Sequence, residues 1–194
     1  MARARSLSSQ PFPLLDDVIA FTDIAMSSRS RFASVELLSQ GLSSVLRTPF
    51  QLPKFLLVPD PWNYVRHELY RSPEHDYQII AITWAPGQGS GIHDHGNMWG
   101  VEAVLAGRLE VTDYLISEER GAWARMEEFD HKFLEVGNVI GLLPPHDLHA
   151  CRNPSSTHTA VSLHIYGKPL EQVRRYVPAS EDLYREAKAR LHVV

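Results

Sequence analysis

The chain has 194 residues, with 19 basic and 23 acidic side chains and a formal charge of −4. Its 44% hydrophobic and 22% charged content is that of an ordinary soluble globular protein, with length for one domain. The mild acidity argues against a general nucleic-acid binder, and no apolar run approaches the ~20 residues of a membrane span. One cysteine excludes an internal disulfide framework and leads to the expectation of a cytoplasmic protein. The opening stretch MARARSLSSQPFPLLDD starts basic but lacks an apolar core and a small-residue cleavage site, so it does not read as a secretion signal.

Residues 1–50 read as helical. Leu15, Val18, Ile19 and Ile24 fall near helical spacing, and a second helix is expected to start at Ser34 as N-cap. Residues 50–63 hold three prolines and read as a connector. From about Tyr64 to Val177, short β-rich runs alternate with turn residues. Tyr77–Trp84, Gly100–Leu105, Arg108–Leu115, Val139–Leu143 and Thr159–Tyr166 are the expected strands, in a sandwich or closed barrel. Ser180–Leu191, rich in Glu, Ala, Lys, Arg and Leu, is expected to be a C-terminal helix. The expected organisation is therefore one domain over 1–194: helices to residue 50, a barrel over 60–178 and a helix over 179–194.

Ten histidines are the unusual count, and their spacing carries more than their number. Residues i and i+2 of a strand share a face. His93 and His95 would thus aim two imidazoles at one point, with Asp94 facing away, in an arrangement that suits iron, copper, nickel or zinc. An isolated pair of this kind is equally consistent with ordinary polar strand residues. A third histidine, His149, follows a strand and turn about fifty residues later. A few hairpins can bring it beside the first two.

Gly87, His93-Asp94-His95 and Gly107 resemble the first cupin motif, and Pro144, His149 and Asn153 the second. The resemblance implies an all-β core: a cupin double-stranded β-barrel of the jelly-roll type with a metal inside. Where cupins carry a glutamate ligand after the histidine pair, this chain has Gly100. The resemblance then implies a site of three neutral histidines. Glu102 shares strand parity with Gly100. It reads either as a displaced ligand or as a polar residue closing a hydrogen bond inside the barrel.

A three-histidine site without that glutamate resembles the thiol dioxygenases, in particular the cysteine dioxygenase type I family in a bacterial-type form. Ser162, His164 and Tyr166 share one strand face. Buried there, they must bond to one another, as in the family's Ser–His–Tyr arrangement. Tyr64-Val65-Arg66 matches an early Tyr-x-Arg that implies a guanidinium for the substrate carboxylate, and Trp84 matches an aromatic position. The mammalian members' cross-linking cysteine is replaced by Gly100, so Tyr166 is expected to be unmodified. Cys151 is expected to be a small buried side chain, and Gly167-Lys168-Pro169 replaces the family's Ser-Pro pair.

The resemblance implies Fe(II) on His93, His95 and His149, substrate binding by Arg66, Tyr64 and Trp84, and catalysis by Tyr166, His164 and Ser162. The implied reaction adds O2 to the sulfur of L-cysteine, giving cysteine sulfinic acid. A 3-mercaptopropionate or broader small-thiol dioxygenase is the alternative. A non-catalytic metal-binding cupin and a zinc isomerase are more remote. Expected partners are a small thiol and O2, without nucleic acid or membrane, in a monomer or small homo-oligomer.

Overall fold

The computed structural model describes residues 11–194, so the first part of the basic N-terminal segment lies outside the described residues. Helix α1 (Leu15–Met26) and helix α2 (Arg31–Val45) lead, and a short 3-10 turn (Lys54–Leu57) sits in the proline-rich connector. The second helix starts earlier than its apolar pattern suggests. Ser30 is the N-cap, its Oγ accepting a hydrogen bond from the Ala33 N–H at 3.2 Å. The first turn of α2 faces solvent, with Phe32 exposed, so the apolar signal begins only at Ser34–Val35. Ser34 is instead an interior residue whose Oγ donates to Ala25 O at 2.9 Å, tying α2 to α1. In α1, the buried stripe is Val18, Thr22 and Ala25, and Ile24 is exposed rather than in the core.

Eleven strands follow: β1 (Val65–Arg71), β2 (Gln78–Trp84), β3 (Ile92–His93), β4 (Gly100–Ala106), β5 (Arg108–Arg120), β6 (Trp123–Glu135), β7 (Val139–Leu142), β8 (His149–Arg152), β9 (Ala160–Tyr166), β10 (Gln172–Pro178) and β11 (Leu183–Arg190). They form a five-stranded sheet, β1-β2-β9-β4-β7, and a second sheet, β10-β11-β6-β5-β8-β3, that closes on itself. Both are antiparallel, as a cupin double-stranded β-barrel requires.

The expected C-terminal helix is a strand. Residues Tyr184–Arg190 pair with β10, and Leu183, Tyr184 and Arg185 pair with β6. An isolated helix this short is marginal in water, whereas two neighbouring strands offer hydrogen bonds on both edges. Tertiary pairing therefore overrides helix propensity. Strand β6 carries Glu127, Glu128, Asp130, His131 and Lys132 on an exposed surface, which hid its pattern in the sequence.

The five-stranded sheet is buried on both faces, so β2 and β9 are buried at every position. Ile79, Ala81, Leu163 and Ile165 face the helices and pack against Val18, Leu38 and Leu42. Ile80, Ile82 and Trp84 point the other way, into a second cluster with Leu109, Val111 and Cys151. The alternation of β9 thus assigns Ser162, His164 and Tyr166 to the barrel interior. Among the described residues no helix is long and apolar enough to cross a membrane.

Leu38 is fully buried between α2 and this sheet. Leu38→Ala should destabilise the fold by about 2–5 kcal/mol in denaturant titrations, while metal binding on the opposite face of the sheet persists.

Candidate metal centre

The three histidines of the two motifs meet. His93 on β3 is the register partner of His149 on β8, and His95 follows two residues after His93. Ring centroids of His93–His95, His93–His149 and His95–His149 lie 5.1, 4.9 and 4.9 Å apart. One nitrogen of each lies within 4.8 Å of the others. His95 and His149 are fully buried, and His93 is half-buried at the rim.

Outer contacts orient two of these rings. His93 Nδ1 lies 3.1 Å from Gly91 O, and a carbonyl only accepts, so Nδ1 carries the proton and Nε2 is free. Asp147 Oδ2 does the same for His95. It accepts from the His95 backbone N–H at 3.0 Å and from Nδ1 at 3.2 Å. His95 Nε2 is then buried with no hydrogen-bond partner among the described residues. Such an orphaned lone pair is what a metal ligand presents in the absence of its ion. Burial, then the neighbouring His95, lowers the His93 pKa to about 4, and burial holds His149 well below its ordinary value. Both rings are therefore neutral donors at physiological pH, as metal binding needs. Burial opposes ionisation of Asp147, but the hydrogen bonds from His95 outweigh it and hold that carboxyl low.

On the facing wall, the Trp84 indole donates to Ser162 Oγ at 2.9 Å. Ser162 Oγ lies 2.7 Å from His164 Nε2, and His164 Nδ1 lies 3.1 Å from the Tyr166 hydroxyl. The row expected on β9 is thus self-satisfied, with Trp84 as an added donor. Burial, then the Glu102 charge, pushes the Tyr166 phenol well above its ordinary pKa, so it keeps its proton. The Tyr166 ring lies beside His95, with centroids 5.9 Å apart. Gly100 makes room for it: a Cβ there would come within 3.0 Å of Tyr166 Cδ1.

Arg66 on β1 is buried and lines the same small cavity as His93, His149 and Tyr166. Its two terminal nitrogens each approach Leu170 O at 3.4 Å, which leaves most of its donor capacity free. Tyr64 packs on Trp84 with centroids 4.8 Å apart, and its hydroxyl accepts from Arg175 at 2.8 Å. Cys151 is buried in the lining of this cavity, and burial pushes its thiol pKa well up, as for a small packing side chain. His146 is exposed in a turn. A larger open groove on the outside of the second sheet, lined by Tyr114, Arg174 and Lys188, holds none of the three imidazoles.

Glu102 also reaches this cavity. It is buried on β4, with one carboxylate oxygen 2.9 Å from His164 Nδ1. Burial pushes its carboxyl up, but the surrounding imidazoles, His164 first, outweigh that and hold it below the usual range. Asp147 and Arg175 escaped the sequence reading. Asp147 had a usable signal, an acid two residues before a motif histidine. Arg175 had none, because β10 carried no recognised strand pattern.

Asp147→Ala should weaken Zn(II) or Fe(II) binding by about 10–100-fold in metal titrations, because it frees the His95 ring to rotate. Unchanged affinity would remove Asp147 from the site.

Comparison with known proteins identifies the family. The family model described as cysteine dioxygenase type I matches residues 50–179. A protein of Danio rerio named cysteine dioxygenase type 1 is 25% identical over 169 residues, covering 86% of this chain and 80% of that protein. The Homo sapiens protein of the same name is 28% identical over 112 residues, covering 58% of this chain and 54% of its own length. The match thus spans about half of the human relative. Among solved structures, an RmlC-like cupin from Desulfovibrio desulfuricans matches with a TM-score of 0.42 at 17% identity, over 63% of this chain and 98% of that one. The family match takes in the barrel segments that carry His93, His95, His149 and Tyr166, and the chain belongs to the cysteine dioxygenase type I family.

Proposed function

We propose that the protein is a non-haem iron thiol dioxygenase whose substrate is L-cysteine, with both atoms of O2 added to sulfur to give cysteine sulfinic acid. The observation that carries this reading is the pairing of two walls in one cavity. Three convergent imidazoles stand on one side, and a Tyr166–His164–Ser162 row stands on the other. A metal-storing or sensing barrel needs the first wall and has no use for the second.

His93, His95 and His149 are the residues that would hold Fe(II). The ion would supply a common binding place for thiolate and O2 and would favour the thiolate over the thiol. Arg66 contributes a fixed positive fork at the cavity wall. A carboxylate takes two parallel hydrogen bonds from such a fork, so Arg66 selects an acid-bearing thiol and sets its orientation. Tyr64 and Trp84 form the aromatic wall behind it. Tyr166, kept protonated by burial, donates a hydrogen bond into the cavity. His164 and Ser162 hold the phenol in place. Proximity of fixed reactants supplies much of the rate in such a site. The substrate is a free thiol, which persists in a reducing compartment, so the proposed location is the cytoplasm.

Oxygen uptake with sulfinate analysis tests the reading. The iron-loaded protein should consume one O2 per sulfinate formed, with higher kcat/KM for L-cysteine than for 3-mercaptopropionate. The reverse preference would reassign the substrate. No uptake with any small thiol would remove the dioxygenase reading.

Arg66→Ala should raise KM for cysteine by about 10–100-fold, the worth of a charged hydrogen-bond pair, with iron content unchanged. Tyr166→Phe should lower kcat while iron stays bound. Full turnover in that variant would take the phenol out of the reaction.

A further inference from the structure

The cavity beside the three imidazoles is small. Its volume is about 20 Å³, room for a single water. A thiol that bears a carboxylate is larger than one water, so a wall must give way before it enters. Among the described residues that line the cavity, Tyr64, His93 and Leu191 are partly exposed and the rest are buried. Tyr64 is held by the hydrogen bond from Arg175 at 2.8 Å and by its packing on Trp84. His93 is held by Gly91 O at 3.1 Å. Leu191 has an apolar side chain that packs at the edge of the second core cluster. A half-exposed leucine changes rotamer without breaking a hydrogen bond.

Leu191 also stands at a boundary. An open groove of about 580 Å³ lies outside it, lined in part by Arg71, Gln78, Arg190 and His192. Leu170 and Leu191 line both the groove and the inner cavity. Leu170 is buried and fixed through its backbone. Its N–H donates to Gln78 Oε1 at 3.2 Å, and its carbonyl accepts from Arg66. Leu191 follows β11, and its N–H donates to Glu171 O at 2.8 Å. Val194 then bonds to β1, donating to Arg66 O at 2.9 Å and accepting from the Glu68 N–H at 3.3 Å. Residues 191–194 thus form a strap tied to the strand of Arg66, with His192 and Val193 exposed along it. The strap holds the backbone at Leu191 and leaves its side chain as the part that swings.

We propose that Leu191 is a specificity-determining residue: substrate enters from the outer groove past its side chain, and the room it leaves sets the largest thiol that reaches the imidazoles. The proposal rests on the reading of the cavity as the thiol site. Leu191 acts on access and fit, while the imidazoles and the Tyr166 row stay as they are. A shorter side chain at this position widens the passage and admits a longer thiol acid. A bulkier one narrows it.

Cys151 supplies a readout that needs no turnover. It is the chain's only cysteine and it lines the cavity, so its alkylation reports how often the cavity opens. The test is iodoacetamide labelling of iron-loaded wild-type, Leu191→Ala and Leu191→Phe proteins kept free of O2, followed by oxygen uptake with L-cysteine and L-homocysteine. Leu191→Ala should label about tenfold or more faster, because truncation removes apolar contacts that hold the passage shut. Its kcat/KM for homocysteine relative to cysteine should rise about tenfold or more, the worth of one methylene in a pocket. Leu191→Phe should slow the labelling and sharpen the preference for cysteine. Labelling within twofold of wild type in both variants would put the opening beside Tyr64 and overturn the proposal. Labelling that accelerates in low urea in every variant would assign access to unfolding and overturn it equally. Faster labelling of Leu191→Ala in a protein that oxidises no thiol would keep the gate and remove the dioxygenase reading. Oxygen uptake with the same size preference in all three proteins would keep that reading and remove Leu191 from it.

Discussion

The register of β3 against β8 is the constraint on which the site depends. His93 and His149 are direct partners across that short ladder. Side chains alternate along a strand, so a slip of one residue would turn His149 out of the barrel and put Ala150 or Leu148 in its place. A two-residue strand cannot hold a register by its own hydrogen bonds. Its neighbours hold it. Strand β10 pairs with β3 at Arg175 and Tyr176, and β5 pairs with β8 along its whole length. The Asp94 carboxylate adds a clamp on the outer side, where it binds Arg174 of β10 through both backbone N–H and guanidinium. The residue between the two metal-facing histidines thus anchors them by pointing the other way.

A second constraint comes from two-sided burial of the first sheet. With α1 and α2 covering its outer face, every residue of β2 and β9 is removed from water. Polar groups on the inner face must find partners there or cost stability. Ser162, His164 and Tyr166 do so as a chain that starts at the Trp84 indole. Among the buried atoms left without a hydrogen-bond partner are His95 Nε2, His149 Nδ1 and Glu102 Oε1.

The cavity also separates binding from support. Arg66, Tyr64 and Trp84 come from the β1–β2 side, whereas the imidazoles come from β3, β8 and the loop that follows β3. A change on the β1–β2 side can thus arise without moving the three imidazoles. Rigid strands on both sides favour a preformed site over one assembled by closure. The helices contribute by backing the sheet that carries the Tyr166 row, at a distance from the chemistry.

The sequence by itself determined the three convergent histidines, the polar row of β9 and the fold class. Each is a local pattern: i, i+2 spacing, strict alternation, and glycines and prolines at turn positions. Position along one strand decides which face a side chain takes, so these features need no knowledge of neighbours. Three things were decided only by tertiary structure. Residues 183–190 became β11 because open edges of β10 and β6 outbid their helix propensity. Asp147 became the partner of His95 through a contact spanning fifty-two residues. Glu102 met His95 and His149 because the two sheets face each other across the barrel. All three depend on contacts between segments remote in the chain, and periodicity within one segment carries no record of what will lie opposite it.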